Sequence, residues 1–189
     1  MAQKRKDWNG LISGFKASDL VFLDESGCNT DMTRRYAYSL GGSRAVDSAP
    51  LSKPKNTTIL SSIQLDGTLR YTTFSGGTTV ERFKRYLETD LLPHLNGNSV
   101  LIMDNMKSHH AKAVRNLLDS SGVRYIYLPP YSPDLNPIEK LWSKVKAFLR
   151  KFKARTLDAL PNAIQCAFQT VSPSDCSGWF HSCGYSPHF

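Results

Sequence analysis

Three carboxylates in this sequence stand where chemistry is commonly placed. Asp24 ends the apolar run of "DLVFLDES", Asp104 ends "SVLIMD", and Glu139 opens the helical pattern after "YLPPYSPDLNP". In an α/β sheet, functional groups gather just beyond the carboxyl ends of the strands. If the two apolar runs are parallel neighbours, Asp24 and Asp104 meet there. A helix packed across the sheet then brings Glu139 to the same point. Three hard oxygen ligands suit Mg2+ or Mn2+ and not zinc. Two such ions, about 3.5–4 Å apart, are the usual device for in-line phosphoryl chemistry. Carboxylates gathered without a cation would repel one another and their pKa values would rise.

Each residue also has a plainer role. Glu25 competes with Asp24, and strand alternation does not choose between them, because a sheet covered on both faces is apolar on both. Asp104 and Asn105 suit the start of a helix. Asn136, Pro137 and Glu139 fit the N-cap, N1 and N3 positions of a capping box, with asparagine in the serine place. His109 and His110 read as an ordinary polar helix start.

The elements that must position these residues follow from periodicity. "DLVFLDES" reads as a buried strand ending near Asp24, and "RYAYSL" as a second strand. "TTILSSIQLDGTLRYTTF" reads as a hairpin turning at Asp66-Gly67. Val80, Phe83, Leu87 and Leu91 fall at helical spacing. "NSVLIMDN" is a strand, "HHAKAVRNLLDSSG" a helix stopping at Gly122, and "VRYIYLP" a strand. Ile138, Leu141, Val145, Phe148 and Leu149 share one face of the next helix. "TLDALPNAIQCAFQTV" reads as the last helix, with Pro161 early in it. Three antiparallel strands followed by alternating helix and strand predict a mixed α/β sheet with helices on its faces.

At 189 residues the chain suits one sizeable domain. Its net charge of +8 favours a polyanionic partner, nucleic acid first. No apolar run approaches the roughly 20 residues of a membrane span. The basic N-terminus lacks the apolar core of a signal peptide. Cys28, Cys166, Cys176 and Cys183 are few and unevenly spread, which suits free thiols in a reducing compartment. Cys176, His181, Cys183 and His188 match no standard zinc spacing.

Taken together, "FLDESG", "VLIMDNMKSHHA" and "YLPPYSPDLNPIEKLWSKVK" resemble the three signature blocks of the transposase superfamily with an Asp-Asp-Glu triad. Within it they resemble the mariner-like branch of bacterial insertion sequences. The 34 residues between Asp104 and Glu139 match that branch, as does the closing "DCSGWFHSCGY". The resemblance runs from about Leu20 to Tyr185. It implies a ribonuclease-H-like fold, with a five-stranded mixed sheet, its first three strands antiparallel, and helices on both faces. It implies two-metal nicking of transposon ends and joining of the freed 3′-hydroxyl to target DNA. Asp24, Asp104 and Glu139 are then ligands of two Mg2+ or Mn2+ ions, and Glu25 is not. It further implies double-stranded DNA as partner, a homodimer acting on paired ends, and a bacterial cytoplasmic, nucleoid-associated location.

Such transposases usually carry an N-terminal helix-turn-helix region, and barely twenty residues precede Asp24. Residues 1–19 resemble only the connector before the catalytic domain, which is expected over 20–189. The expectation is a truncated product, an excised domain or the second frame of a split gene, with a separate N-terminal DNA-binding product as a further partner.

From Lys140 to Arg155 there are seven basic residues and no acidic one. Lys140, Lys144 and Lys151 share a helix face, and a one-signed face gains no ion pairs along the helix. Lys140, Lys144, Lys146 and Lys151 are therefore the candidate DNA-phosphate contacts, with Lys4, Arg5 and Lys6 as a further basic cluster. At the helix start, Asn136 is expected to cap alone, leaving Glu139 to face Asp24 and Asp104.

Overall fold

The structure is a computed structural model, and it describes residues 2–34, 36–48 and 54–185. Strands β1 (Leu20–Cys28), β2 (Thr57–Ile63), β3 (Leu69–Ser75), β4 (Val100–Met103) and β5 (Arg124–Tyr127) form one sheet in the order β3-β2-β1-β4-β5. β1 pairs antiparallel with β2, and β2 with β3. β4 runs parallel to both β1 and β5. This is the predicted mixed sheet with three antiparallel strands first.

Helices cover both faces, which is why β1 and β4 read as unbroken apolar runs. On one face Leu20, Phe22, Val100 and Ile102 pack with Trp8 of α1 (Ala2–Ile12) and with α4 (Ile138–Phe152), α5 (Ala159–Gln169) and α6 (Pro173–Ser182). On the other, Val21, Leu23, Leu101 and Met103 pack with α2 (Val80–Tyr86) and α3 (Lys112–Ser121). Among the described residues, no helix is long and apolar enough to cross a membrane.

Several expectations need correction. β1 does not end at Asp24 but continues to Cys28, because antiparallel pairing with β2 persists through Cys28 opposite Thr57. "RYAYSL" is not a strand. Arg35 lies outside the described residues, and Tyr36, Tyr38 and Leu40 lie irregular and exposed. β1 already pairs with β2 and β4, so no ladder remains beside it for that segment. The hairpin at Asp66-Gly67 holds, with a wider loop than a two-residue turn, closed by Gln64 N–H to the Thr68 carbonyl at 3.1 Å. Gly67 has φ +91, and a Cβ there would meet Pro173 at 3.0 Å. The helix from Val80 passes into a π-turn over Leu87–Leu91 and a 3-10 turn over Leu92–His94. Two helices were not foreseen. α1 occupies most of the expected N-terminal connector, and α6 follows the helix read as the last. Ser172 and Asp175 form a reciprocal capping box at the start of α6. All four cysteines are free thiols. His188 lies outside the described residues.

Candidate active site

Strand register brings the two aspartates together. Leu23 in β1 lies opposite Met103, the last residue of β4, so Asp24 and Asp104 follow at the same level. β1 continues past this point while β4 ends, and a loop opens beside Asp24. The chain returns along β5 into Leu128-Pro129-Pro130 and a 3-10 turn at Pro133–Leu135, then starts α4. Asp24, Asp104 and Glu139 line one cavity of about 340 Å3, with Asn105, Leu128, Pro129, Pro130, Tyr131, Ser132, Pro133 and Asn136. Tyr131 holds the left-handed backbone conformation (φ 55) between the prolines and stands exposed at the rim.

Asp24 is almost fully buried. Its Oδ1 accepts the Glu25 N–H at 2.8 Å, and its Oδ2 accepts the Trp142 indole N–H at 3.2 Å. Burial pushes its pKa up to about 7. The Glu25 N–H opposes that rise, and the charges of Asp104, Glu139 and Glu25 add to it. One helix thus supplies both Glu139 and, a turn later, the donor that orients Asp24. Sequence reasoning missed Trp142, though the i, i+3 spacing from Glu139 places both at the same end of α4.

His109 is no helix start. α3 begins at Lys112, and the His109 ring lies beneath the sheet with no exposure. Its Nδ1 stands 2.8 Å from Asp104 Oδ1, and its Nε2 stands 3.1 Å from Glu25 Oε2. Burial alone would depress its pKa, but the carboxylates of Asp104 and Glu25 hold it up at about 9. For Asp104, burial works upward. It is outweighed by His109 and by the Met106 N–H, so its pKa falls below the usual carboxylate range. His110 stacks on Tyr127 at 4.0 Å, and its Nε2 lies 3.3 Å from Asn105 Oδ1.

The expected asparagine cap is not formed. The Asn136 side chain makes no cap hydrogen bond, and α4 begins at Ile138 after Pro137. The preceding 3-10 turn takes the Asn136 N–H onto the Pro133 carbonyl at 3.1 Å. That leaves no Asn136 amide for Glu139 to close a capping box. Asn136 is instead buried at the cavity wall, with its Oδ1 unpartnered.

The donor set fits a hard cation. Two aspartates, a glutamate and a buried orphan amide oxygen are all oxygen donors, and burial first, then the neighbouring carboxylates, raises the Asp24 pKa, a rise that a bound cation would oppose. Among the described residues, no three His, Cys, Asp or Glu side chains close tightly enough to hold an ion by themselves. The carboxylates line an open cleft in this conformation.

The candidate lysines are not equivalent. Lys144 pairs with Asp175 at 2.6 Å, which ties α4 to α6. Lys146 is half-buried, and Lys140 and Lys151 are exposed. Lys144 and Lys151 line a second, shallower groove of about 780 Å3 with Arg34, Tyr36, Phe148 and Arg150. Lys153 pairs with Asp47, and Arg155 donates to the carbonyls of Thr30, Met32 and Ser48, so both fasten the loop after β1.

This sheet order, with helices on both faces, defines a ribonuclease-H-like fold. Comparison with known proteins carries this further. A family model described as DDE superfamily endonuclease matches residues 19–161, and the chain belongs to that family. It is 29% identical over 97 residues to the Transposable element Tc1 transposase of Caenorhabditis elegans, covering 49% of this chain and 36% of that protein. It superposes on a chain of the pre-cleavage Mos1 transpososome with TM-score 0.81 at 19% identity, covering 100% of this chain and 63% of that one. It also superposes on the Mos1 mariner paired end complex with Mn, at TM-score 0.79 and 21% identity, covering 95% and 58%. The chain therefore spans less than two thirds of each of these relatives.

Proposed function

We propose that this chain is the catalytic unit of a DNA transposase, which nicks transposon ends and joins the freed 3′-hydroxyl to target DNA. The observation that carries this reading is the convergence of Asp24, Asp104 and Glu139 on one cleft, at the junction of two parallel strands and the start of α4. The likeness to Mos1 assemblies, one of them with Mn, supports DNA and a divalent cation as its partners. Asp24, Asp104 and Glu139 would hold two Mg2+ or Mn2+ ions, whose chemistry is to activate the attacking oxygen and stabilise the leaving one. The protein's own part is positioning. Trp142 and the Glu25 N–H fix the Asp24 carboxylate. The proline-rich loop walls one side of the cleft, and Lys140, Lys146 and Lys151 along α4 supply phosphate contacts, while Lys144 is held by Asp175. The working form is a homodimer on paired ends, in the bacterial cytoplasm at the nucleoid.

Asp104→Asn and Glu139→Gln should each abolish nicking of a transposon-end duplex in Mg2+ or Mn2+ while leaving the circular dichroism spectrum intact. Undiminished nicking by either variant would overturn the triad. Joined products beside nicked ones separate a transposase from a plain nuclease on the same fold.

A further inference from the structure

One group near the cleft touches no solvent yet has a partner at each ring nitrogen. His109 is wholly buried in the loop between β4 and α3, stacked on Phe83 at 4.2 Å between centroids. Its backbone is fixed as well. Its N–H donates to the Met106 carbonyl, and its carbonyl accepts the Tyr127 hydroxyl, each at 3.0 Å. The two ring nitrogens face carboxylates from two strands, Asp104 after β4 and Glu25 within β1.

Glu25 follows Asp24, so the strand's alternation sends the two side chains to opposite faces of the sheet. Asp24 turns toward α4 and Trp142, and Glu25 turns toward His109. A buried histidine held between two carboxylates is a costly way to fill space. Apolar side chains of similar volume commonly do so with no loss of stability. What the arrangement secures is orientation. Asp104 Oδ1 accepts the Met106 N–H at 3.0 Å and lies against His109 Nδ1 at 2.8 Å. With Oδ1 engaged twice, Oδ2 is the oxygen left for a ligand in the cleft.

We propose that Glu25 and His109 are positioning residues, a strut behind the sheet that holds Asp104 with one carboxylate oxygen presented to a divalent cation. Glu25 anchors the ring from β1, so the strut also ties the two aspartate-bearing strands at the level of the cleft. This rests on the metal-dependent reading of the site. Such outer partners of metal ligands typically change metal affinity by about 10–100-fold when removed.

The test is calorimetric titration of the whole chain with Mn2+, alongside metal titrations of nicking and a thermal melt of each variant. His109→Phe keeps an aromatic ring, somewhat larger than imidazole, to stack on Phe83 but removes both nitrogens. It should weaken Mn2+ binding about tenfold or more and raise the metal needed for half-maximal nicking in parallel. His109→Gln, which restores an N–H donor, should recover most of that loss. Glu25→Met should weaken Mn2+ binding and Glu25→Gln should restore it, so this pair decides the question if His109→Phe does not fold. Wild-type Mn2+ affinity in folded His109→Phe, or in Glu25→Met, would overturn the strut while leaving the triad standing. Absence of Mn2+ binding by the unaltered chain would remove the metal reading and this inference with it.

Discussion

Asp24 shows most directly that this site is arranged at the expense of the fold. Its pKa is raised to about 7, first by burial and then by neighbouring carboxylates. The folded chain therefore holds this proton more tightly than the unfolded chain does. Stability from the protonated form is complete below about pH 4 and is lost as pH rises through 7. At pH 8, without divalent cations, the charged carboxylate opposes folding. Asp24→Asn keeps an oxygen to accept from Trp142 and removes that charge. In chelator at pH 8 the variant should melt higher than the unaltered chain by several degrees, given about 2–4 °C per kcal/mol for a domain of this size. At pH 4 the difference should shrink toward zero. With Asp24 as a metal ligand, as proposed, added Mn2+ should stabilise the unaltered chain and leave the variant nearly unmoved. Calorimetric melts at the two pH values, with and without Mn2+, check this. A variant melting lower than the unaltered chain at pH 8 in chelator would show that Asp24 is stabilising when charged.

At the scale of elements, α4 carries most of the positioning. Ile138, Leu141, Trp142, Val145 and Leu149 are buried against the sheet, while Glu139 and Lys140 face outward at the cleft end. The Lys144–Asp175 pair fastens the helix laterally to α6. Leu141→Ala, at a fully buried site two residues from Glu139, should cost about 2–5 kcal/mol in urea denaturation. Phe152→Ala, at a side chain 45% exposed, should cost far less. Equal losses would mean that α4 is not held by this apolar stripe. The stripe, the β1 and β4 runs and the hairpin were legible in the sequence because each depends on local periodicity and on burial of a whole face. The three carboxylates stood out as candidates because they sit in specific motif blocks, and the fold brings them to one cleft. What was not legible depends on tertiary partners. "RYAYSL" has strand-like composition, but both sides of β1, the strand before it, are already paired, and strand propensity acts only through neighbours. Asn136 looked like a cap, until a 3-10 turn engaged its amide and buried its side chain at the cleft. The His109–Glu25 contact joins residues 84 apart through a loop tucked under the sheet, which no spacing rule reveals. α6 was the avoidable omission, since "SPSD" at Ser172–Asp175 carries a capping-box signal.

For the whole molecule, the net charge of +8 matters less than where the cations lie. The loop after β1 is pinned by Lys153 and Arg155, so those charges are largely engaged within the fold. Lys144, already paired with Asp175, is similarly engaged. Lys151 and Arg150 line the open groove beside Arg34, where a phosphate backbone would displace only water and counterions. Each phosphate neutralised on duplex DNA contributes a slope of about −0.9 in log affinity against log salt. Lys151→Ala should therefore weaken binding to a short duplex uniformly across sequences and reduce the salt slope by about 1. Lys144→Ala, removing a cation that already has an internal partner, should leave the slope nearly unchanged and act mainly on thermal stability. Fluorescence-anisotropy titrations over a series of salt concentrations, with chelator present to prevent cleavage, separate the two. A Lys144→Ala slope shift as large as that of Lys151→Ala would show that DNA displaces Asp175 and that the contact surface extends up α4 toward the cleft. Unchanged slopes in both variants would place the duplex on another face altogether.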